Sequence, residues 1–144
     1  RLTLASLVLS AGMALPAGAS AKSDAYFQWL RGLDTLNTRL GGSFGMLKFA
    51  IKVKNGPATF TALSDVGDCG RWLLARANSP IPLINKDVTA WGRGLVAVET
   101  SGKALLSGTG TINAFFASEQ RVSQLSSKFA NDVATLNDQF RHKK

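Results

Sequence analysis

The chain has 144 residues, of which 17 are Lys or Arg and 9 are Asp or Glu, and its formal net charge at pH 7 is +8. A hydrophobic content of 45% suffices for one domain with its own core and excludes disorder by composition. A single cysteine, Cys69, excludes an internal disulfide framework within this sequence, and the single histidine, His142, lies near its C-terminal end. This inventory argues against a Ser-His-Asp triad, a Cys-His pair or a histidine-bound metal. We therefore expect a protein that is not an enzyme and has no cofactor.

The first 21 residues have the layout of a secretory signal peptide. Arg1 precedes an apolar run over 2–9, and the small residues after Pro16 end in two A-x-A patterns within 17–21. The alternative is an uncleaved membrane anchor, since a spanning helix needs about 20 apolar residues. Either interpretation predicts that the rest of the chain is exported to a periplasm, the extracellular space or a thylakoid lumen, where it is membrane-associated.

Residues 22–144 are predicted to form a single helical domain. Ser23 and Asp24 are N-cap residue types, and they open a stripe with apolar spacings of three and four. The stripe consists of Tyr26, Trp29, Leu30, Leu33, Leu36 and Leu40. It predicts a helix over about 24–40, ended by the glycine pair 41–42.

Residues 43–54 are open to two interpretations. Apolar residues alternate here with lysines, and Asn55 and Gly56 follow, which is typical of a β-hairpin. Pro57, however, has no N–H to donate where a two-residue hairpin needs one. The pattern therefore favours a second helix that ends at Asn55–Gly56, with Pro57 as the first position of the next helix.

Three more helices are predicted beyond this point. The third helix runs from Pro57 to about Ala77 and is followed by a proline-containing linker near 78–82. Asp87 is placed as the N-cap of the fourth helix, which ends at a glycine- and threonine-rich break over 108–111.

The last helix has the clearest pattern, a seam with heptad character. Its apolar positions are Ile112, Phe115, Phe116, Val122, Leu125, Phe129, Val133, Leu136 and Phe140. Four or five amphipathic helices with short connections bury their stripes best as an up-and-down bundle. The predicted fold class is accordingly all-α, and the helix over 112–140 offers a surface for homo- or hetero-oligomer formation.

Three neighbouring residues are the best candidates for chemistry. Asp65 and Asp68, three residues apart, fit a cation site on one helix face, and Arg71 is placed to activate the thiol of Cys69. Without a third acidic or histidine ligand at useful spacing, an ordinary surface pair and a small buried cysteine are favoured.

Clustered cations are the remaining signal for function. The predicted interaction surface comprises Arg39, Lys48, Lys52, Lys54, Arg141, Lys143 and Lys144. Such clusters attract anionic lipid, acidic proteins or nucleic acid. For an exported protein we expect the partner to be a membrane protein complex or an anionic lipid surface, and not nucleic acid.

Two functions follow as hypotheses. The first is a non-catalytic accessory subunit that docks its basic helical surface on the exported face of a membrane assembly. In small size, basic charge, helical pattern and export signal, the chain is similar to the PsbQ-type extrinsic subunits of photosystem II; no motif of that family is matched and no residue role carries over. The alternative is a soluble exported carrier that binds an apolar ligand between helices, with Trp29, Trp72 and Trp91 as candidate lining residues.

Overall fold

In a computed structural model, the structure describes residues 21–142, and 86% of these residues are helical with no strand among them. The expected signal peptide or anchor over 1–21 lies outside the described residues except for Ala21, and so do Lys143 and Lys144. The helices are α1 (Ala21–Arg31), α2 (Asp34–Lys52), α3 (Gly56–Leu74), α4 (Pro82–Leu106) and α5 (Ile112–His142). The predicted all-α fold is confirmed for the described part of the chain.

Helices α1 and α2 form one kinked rod, so residues 21–142 make a bundle of four rods. The kink is the two-residue turn at Gly32 and Leu33, whose amide groups still donate to carbonyls of α1. The predicted end at Gly41–Gly42 is wrong, because α2 continues through both glycines to Lys52. Their helix cost of about 1 kcal/mol each is offset by a stripe of buried side chains that continues past them on α2.

The segment 43–54 is helical, which confirms the favoured interpretation over the hairpin. Helical periodicity buries Leu47 and leaves Phe49, Ile51 and Val53 exposed, although all four share one face in a strand. Lys54 takes a left-handed conformation with φ 57°, and Asn55 caps α3 by accepting a hydrogen bond from the amide of Ala58 at 3.0 Å.

Two predicted helix boundaries are wrong. Helix α3 ends at Leu74 rather than near Ala77, and α4 begins at Pro82, so that Asp87 lies inside α4 and is not its N-cap. Proline explains the second correction, since its fixed φ suits the first turn of a helix. Asn85 closes this helix start instead, by accepting from the amide of Ser79 at 2.6 Å and donating to its carbonyl at 2.8 Å.

Short connections make neighbouring rods antiparallel, and each packs on the next in chain order. The closest approach is between α3 and α4, where a Cβ added at Gly70 would lie 2.5 Å from the carbonyl oxygen of Gly92. At the end where α1 begins, Tyr26 and Phe27 pack against Phe140 of α5 with ring centroids 5.6 and 5.9 Å apart. This end also holds the α3–α4 connection, since Trp29 Nε1 donates to the carbonyl of Arg76 at 3.0 Å.

The other end of the bundle is formed by the last turns of α2 and α4 and the first turns of α3 and α5. We call this end the tip. None of the helices between residues 21 and 142 has the length and apolar character needed to cross a bilayer.

Candidate functional site: the apolar, lysine-bearing tip

Exposed apolar side chains concentrate at the tip. Nine large apolar side chains are exposed in the described part of the chain, and all but Leu83 lie within about ten residues of a helix end at the tip. The eight are Met46, Phe49, Ile51, Val53, Phe60, Leu106, Ile112 and Phe116. Phe49 and Met46 are the most exposed, at 59% and 58%. Scattered exposed apolar residues are normal on a soluble protein, whereas such a concentration marks a surface that contacts something apolar.

The tip carries positive charge without any acidic residue. No Asp or Glu occurs over 35–64 or over 100–118, the two stretches that build it, whereas these stretches contain Arg39, Lys48, Lys52, Lys54 and Lys103. Lys103 is engaged, because its Nζ lies 2.8 Å from Glu99 Oε2 and 4.3 Å from the centre of the Phe60 ring. The other three lysines are exposed. The tip therefore combines an apolar surface with uncompensated lysines.

Two concavities open at this end. The tip cavity, of about 270 Å³, lies where the four rods meet and is lined by Leu63, Leu105 and Phe115, among others. The side groove, of about 630 Å³, runs between α2 and α5, where Gly41 and Gly45 leave room by having no side chain.

The floor of the side groove contains one buried acid. Glu119 of α5 is 9% exposed and lines the groove beside Phe44 and Leu47. No hydrogen bond or ion pair joins its carboxylate to another described residue, and burial raises its pKa. A buried carboxylate without a partner is stabilised by binding a hydrogen-bond donor or a cation, and Glu119 can do so in a groove that is otherwise apolar.

The structure brings together only part of the predicted basic surface. Lys48, Lys52 and Lys54 lie together at the tip, while Arg39 lies three turns away, on the flank of α2 nearer to α3. Arg141 is exposed at the opposite end of the bundle. Of the predicted residues, the lysines of α2 and its following turn are therefore the ones that share a surface.

The three tryptophans do not line the side groove. Trp91 is buried against Phe129, with ring centroids 5.3 Å apart. Trp29 and Trp72 both lie beside Arg76, near the α3–α4 connection. The aromatic side chains of the groove are phenylalanines instead, so none of the three tryptophans named as candidates lines it.

The chemical candidates on α3 have ordinary structural partners. Asp68 accepts a hydrogen bond from Arg71 at 2.7 Å, and Asp65 is exposed. Cys69 is buried, and burial raises the pKa of its thiol, which is opposite to what an activated nucleophile needs. Residues 21–142 contain no group of three or more His, Cys, Asp or Glu arranged to hold a metal ion.

Two charge networks tie the rods together. Glu99 of α4 accepts from Arg71 of α3 at 2.8 Å, and its neighbour across the helix interface is Gly67, where any added Cβ would clash with its carboxylate. Asp87 of α4 accepts from Lys128 of α5 at 3.1 Å. Both carboxylates are buried, so they fix the register of α4 against its two neighbours.

Sequence reasoning missed the apolar half of the tip. Ile112 and Phe116 are predicted in the seam of the last helix, but they are 54% and 50% exposed. Phe115 between them is buried, so the start of α5 is covered by its neighbours on one side only, while Ile112 and Phe116 line the tip cavity, and Phe116 also lines the side groove. One signal was available in the sequence, namely the lack of acidic residues across two long stretches that are rich in apolar side chains.

Comparison with protein-family models, with curated proteins and with solved structures finds no match.

Proposed function

We propose that this protein is a non-catalytic accessory subunit that docks through its tip on the exported face of a membrane protein assembly, such as a photosynthetic complex. The observation that carries the proposal is the coincidence of exposed apolar side chains with uncompensated lysines at one end of a helical bundle. Apolar contacts supply affinity in such a surface, and the lysines steer it toward an acidic partner.

Charge reversal at the tip tests this function. Lys48→Glu, Lys52→Glu and Lys54→Glu are combined in one variant, and the full chain is incubated with membranes of the source cells at low salt. The variant is expected to stay in the supernatant on sedimentation, while the unmodified chain sediments and is found in a membrane assembly by native mass spectrometry.

The matched control reverses three exposed charges elsewhere, with Arg31→Glu, Lys86→Glu and Arg93→Glu. Arg31 is in the last turn of α1 as Lys52 is in the last turn of α2, so both variants lose one favourable helix-terminal charge. The control is expected to sediment like the unmodified chain. A freely soluble monomer at low salt, before any substitution, contradicts the proposed function.

The side groove supports a second candidate, a carrier of an apolar ligand. Its volume of about 630 Å³ lies within the usual range of small-molecule sites, and Glu119 favours an apolar chain that bears an ammonium group. Phe116→Trp places a fluorophore on the groove, and its emission is expected to shift on addition of a long-chain alkylamine.

Two glycine variants make this test specific. Gly45→Leu fills the groove, and a Cβ at this position meets no other atom within 4 Å, so it is expected to abolish the shift without loss of fold. Gly42→Ala has equal space on the same helix and does not line the groove, so the shift is expected to persist. An unchanged emission spectrum of Phe116→Trp with the amine removes the carrier function.

A further inference from the structure

We infer that the partner of the tip is the anionic lipid surface itself, with the bundle standing end-on and the tip inserted at the level of the headgroups. This inference rests on the proposed function and names the partner that its docking surface contacts first. Two features of the tip carry it: the arrangement of its apolar side chains and the sign of its charges.

The apolar side chains are distributed around the end of the bundle. They come from the ends of four different helices, with Phe49 on α2, Phe60 on α3, Leu106 on α4 and Phe116 on α5. A partner protein that covered all four would need a cup-shaped surface to enclose this end. A lipid layer is fluid and accommodates a rounded apolar end without shape complementarity, as it accommodates the apolar face of an interfacial helix.

The turns at the tip close the C-terminal ends of α2 and α4 with their own hydrogen bonds. In the α2–α3 turn, the amides of Val53, Lys54 and Asn55 donate to carbonyls of α2 at 2.9–3.1 Å. In the α4–α5 turn, the amides over 107–110 likewise donate to carbonyls of α4 at 2.9–3.2 Å. Such bonding is common at helix ends in water, so it is compatible with insertion among headgroups and is not itself an argument for it.

The charges of the tip match anionic headgroups. Lys48, Lys52 and Lys54 are exposed next to the apolar side chains, and long lysine stems allow the ammonium groups to reach phosphates while the stems remain among apolar atoms. Each lysine close to an anionic bilayer strengthens binding about 5-fold. No acidic residue occurs over 35–64 and 100–118, and Glu119, which lines the side groove with Lys48, is buried, so little exposed negative charge opposes this attraction.

A tryptophan at the tip tests the insertion directly. The full chain with Phe49→Trp is mixed with vesicles of phosphatidylglycerol and phosphatidylcholine whose acyl chains carry bromine, a short-range quencher. The new tryptophan is expected to be quenched and its emission shifted to the blue. The native tryptophans serve as an internal control, because Trp91 lies about 22 Å below the end of α4 and Trp29 and Trp72 lie farther away. In the unmodified chain these three are expected to stay unquenched.

The lysines are tested on the same vesicles. Lys48→Gln, Lys52→Gln and Lys54→Gln together are expected to weaken binding to anionic vesicles by about 125-fold, from about 5-fold per lysine. The control Arg31→Gln, Lys86→Gln and Arg93→Gln removes equal charge away from the tip and is expected to weaken binding by less than about 10-fold. All six side chains are exposed, so circular dichroism is expected to show an unchanged fold.

The outcomes separate this inference from the proposed function. Quenching of the native tryptophans without quenching at position 49 overturns the inference, because the contact then lies at the other end or in residues 1–20. Equal binding of the two glutamine variants also overturns it. In a third outcome, the tip variants no longer bind the source membranes, but the unmodified chain does not bind lipid vesicles either. The partner is then a protein, so the lipid inference fails and the proposed function stands. If the tip inserts into vesicles but the chain does not associate with any assembly in source membranes, the proposed function fails and the lipid inference stands.

Discussion

Replacing Asp87 by Asn is expected to stabilise the protein at neutral pH. The side chain of Asp87 is 2% exposed, Lys128 donates to its Oδ1, and its Oδ2 is buried without a donor. Burial, with Asp132 nearby, raises the pKa of Asp87 from 3.8 to about 6, although Lys128 opposes the shift. When Asp87 is protonated, it donates a hydrogen bond to Asp132, and this bond lowers the pKa of Asp132.

The raised pKa fixes the sign of the pH dependence. Between pH 3.8 and 6 the folded protein binds more protons at Asp87 than the unfolded chain, so this residue makes the protein more stable as the pH falls through that range. Linkage with these two values gives a gain of about 1 kcal/mol between pH 7.5 and pH 5, and a cost of ionised Asp87 of up to about 3 kcal/mol above pH 7.

Urea denaturation at pH 5 and 7.5 measures both effects. Asp87→Asn keeps an acceptor for Lys128 and supplies the donor to Asp132 at every pH. It is therefore expected to be about 2–3 kcal/mol more stable at pH 7.5 and to lose the difference of about 1 kcal/mol between the two pH values. Comparison with the unmodified chain cancels the contribution of Glu119, whose pKa is also raised. Asp65→Asn, at an exposed position, is the control and should change neither quantity. An unaltered difference between the two pH values in Asp87→Asn refutes the reasoning.

Further predictions concern the backbone and can be checked by the same denaturation assay. Gly92→Ala is expected to cost about 1–3 kcal/mol, because its Cβ would lie 2.8 Å from the carbonyl of Gly70, whereas Gly42→Ala, with open space, is expected to gain about 0.5–1 kcal/mol. Equal effects of these two would mean that α3 and α4 are not in close contact. Asn55→Ala removes the cap of α3 and is expected to cost about 1 kcal/mol, and Asn55→Asp should restore most of it. Lys54→Gly removes the Cβ from a residue in the left-handed conformation and is expected to stabilise the fold by about 0.5–1 kcal/mol. A loss of stability would show that the turn does not need φ 57°.

Helix content was predictable from the sequence because the apolar spacing of three and four reflects burial on one helix face. The core of α5 illustrates this, since Phe115, Val122, Leu125, Phe129 and Val133 are all buried as the pattern predicts. The segment 43–54 is different, because its alternating pattern is typical of a hairpin and the missing amide of Pro57 favoured the helix that the structure has.

What spacing does not report is where neighbouring rods leave a cavity or groove open between them. Ile112 and Phe116 continue the seam of α5 in sequence, yet they line such openings and stay exposed, whereas Phe115 between them is buried. The glycine pair 41–42 predicts a helix end because glycine has a low helix propensity. Propensity contributes less to helix stability than the packing of a continuous apolar stripe, so the helix continues through both glycines.

Buried charges were unpredictable for a different reason. Asp87 resembled an N-cap because a single sequence does not reveal Lys128, which lies 41 residues away in the chain and on another helix. Only part of the candidate site was predictable. The lysines of α2 were predicted as an interaction surface from their charge, whereas apolar residues near them, such as Ile112 and Phe116, were predicted to be buried.

The positions of Ala21 and the tip at opposite ends of the rod have a topological consequence. The distance along α1 and α2 is about 45–50 Å, from 1.5 Å per residue. If residues 1–21 were retained as an anchor, the domain would be tethered by the end of this rod that lies opposite the lysines of the tip. If they were removed, neither end would be tethered and the tip would be free to approach a bilayer. A single proteolytic cut would thus release the end of the rod that lies farthest from those lysines.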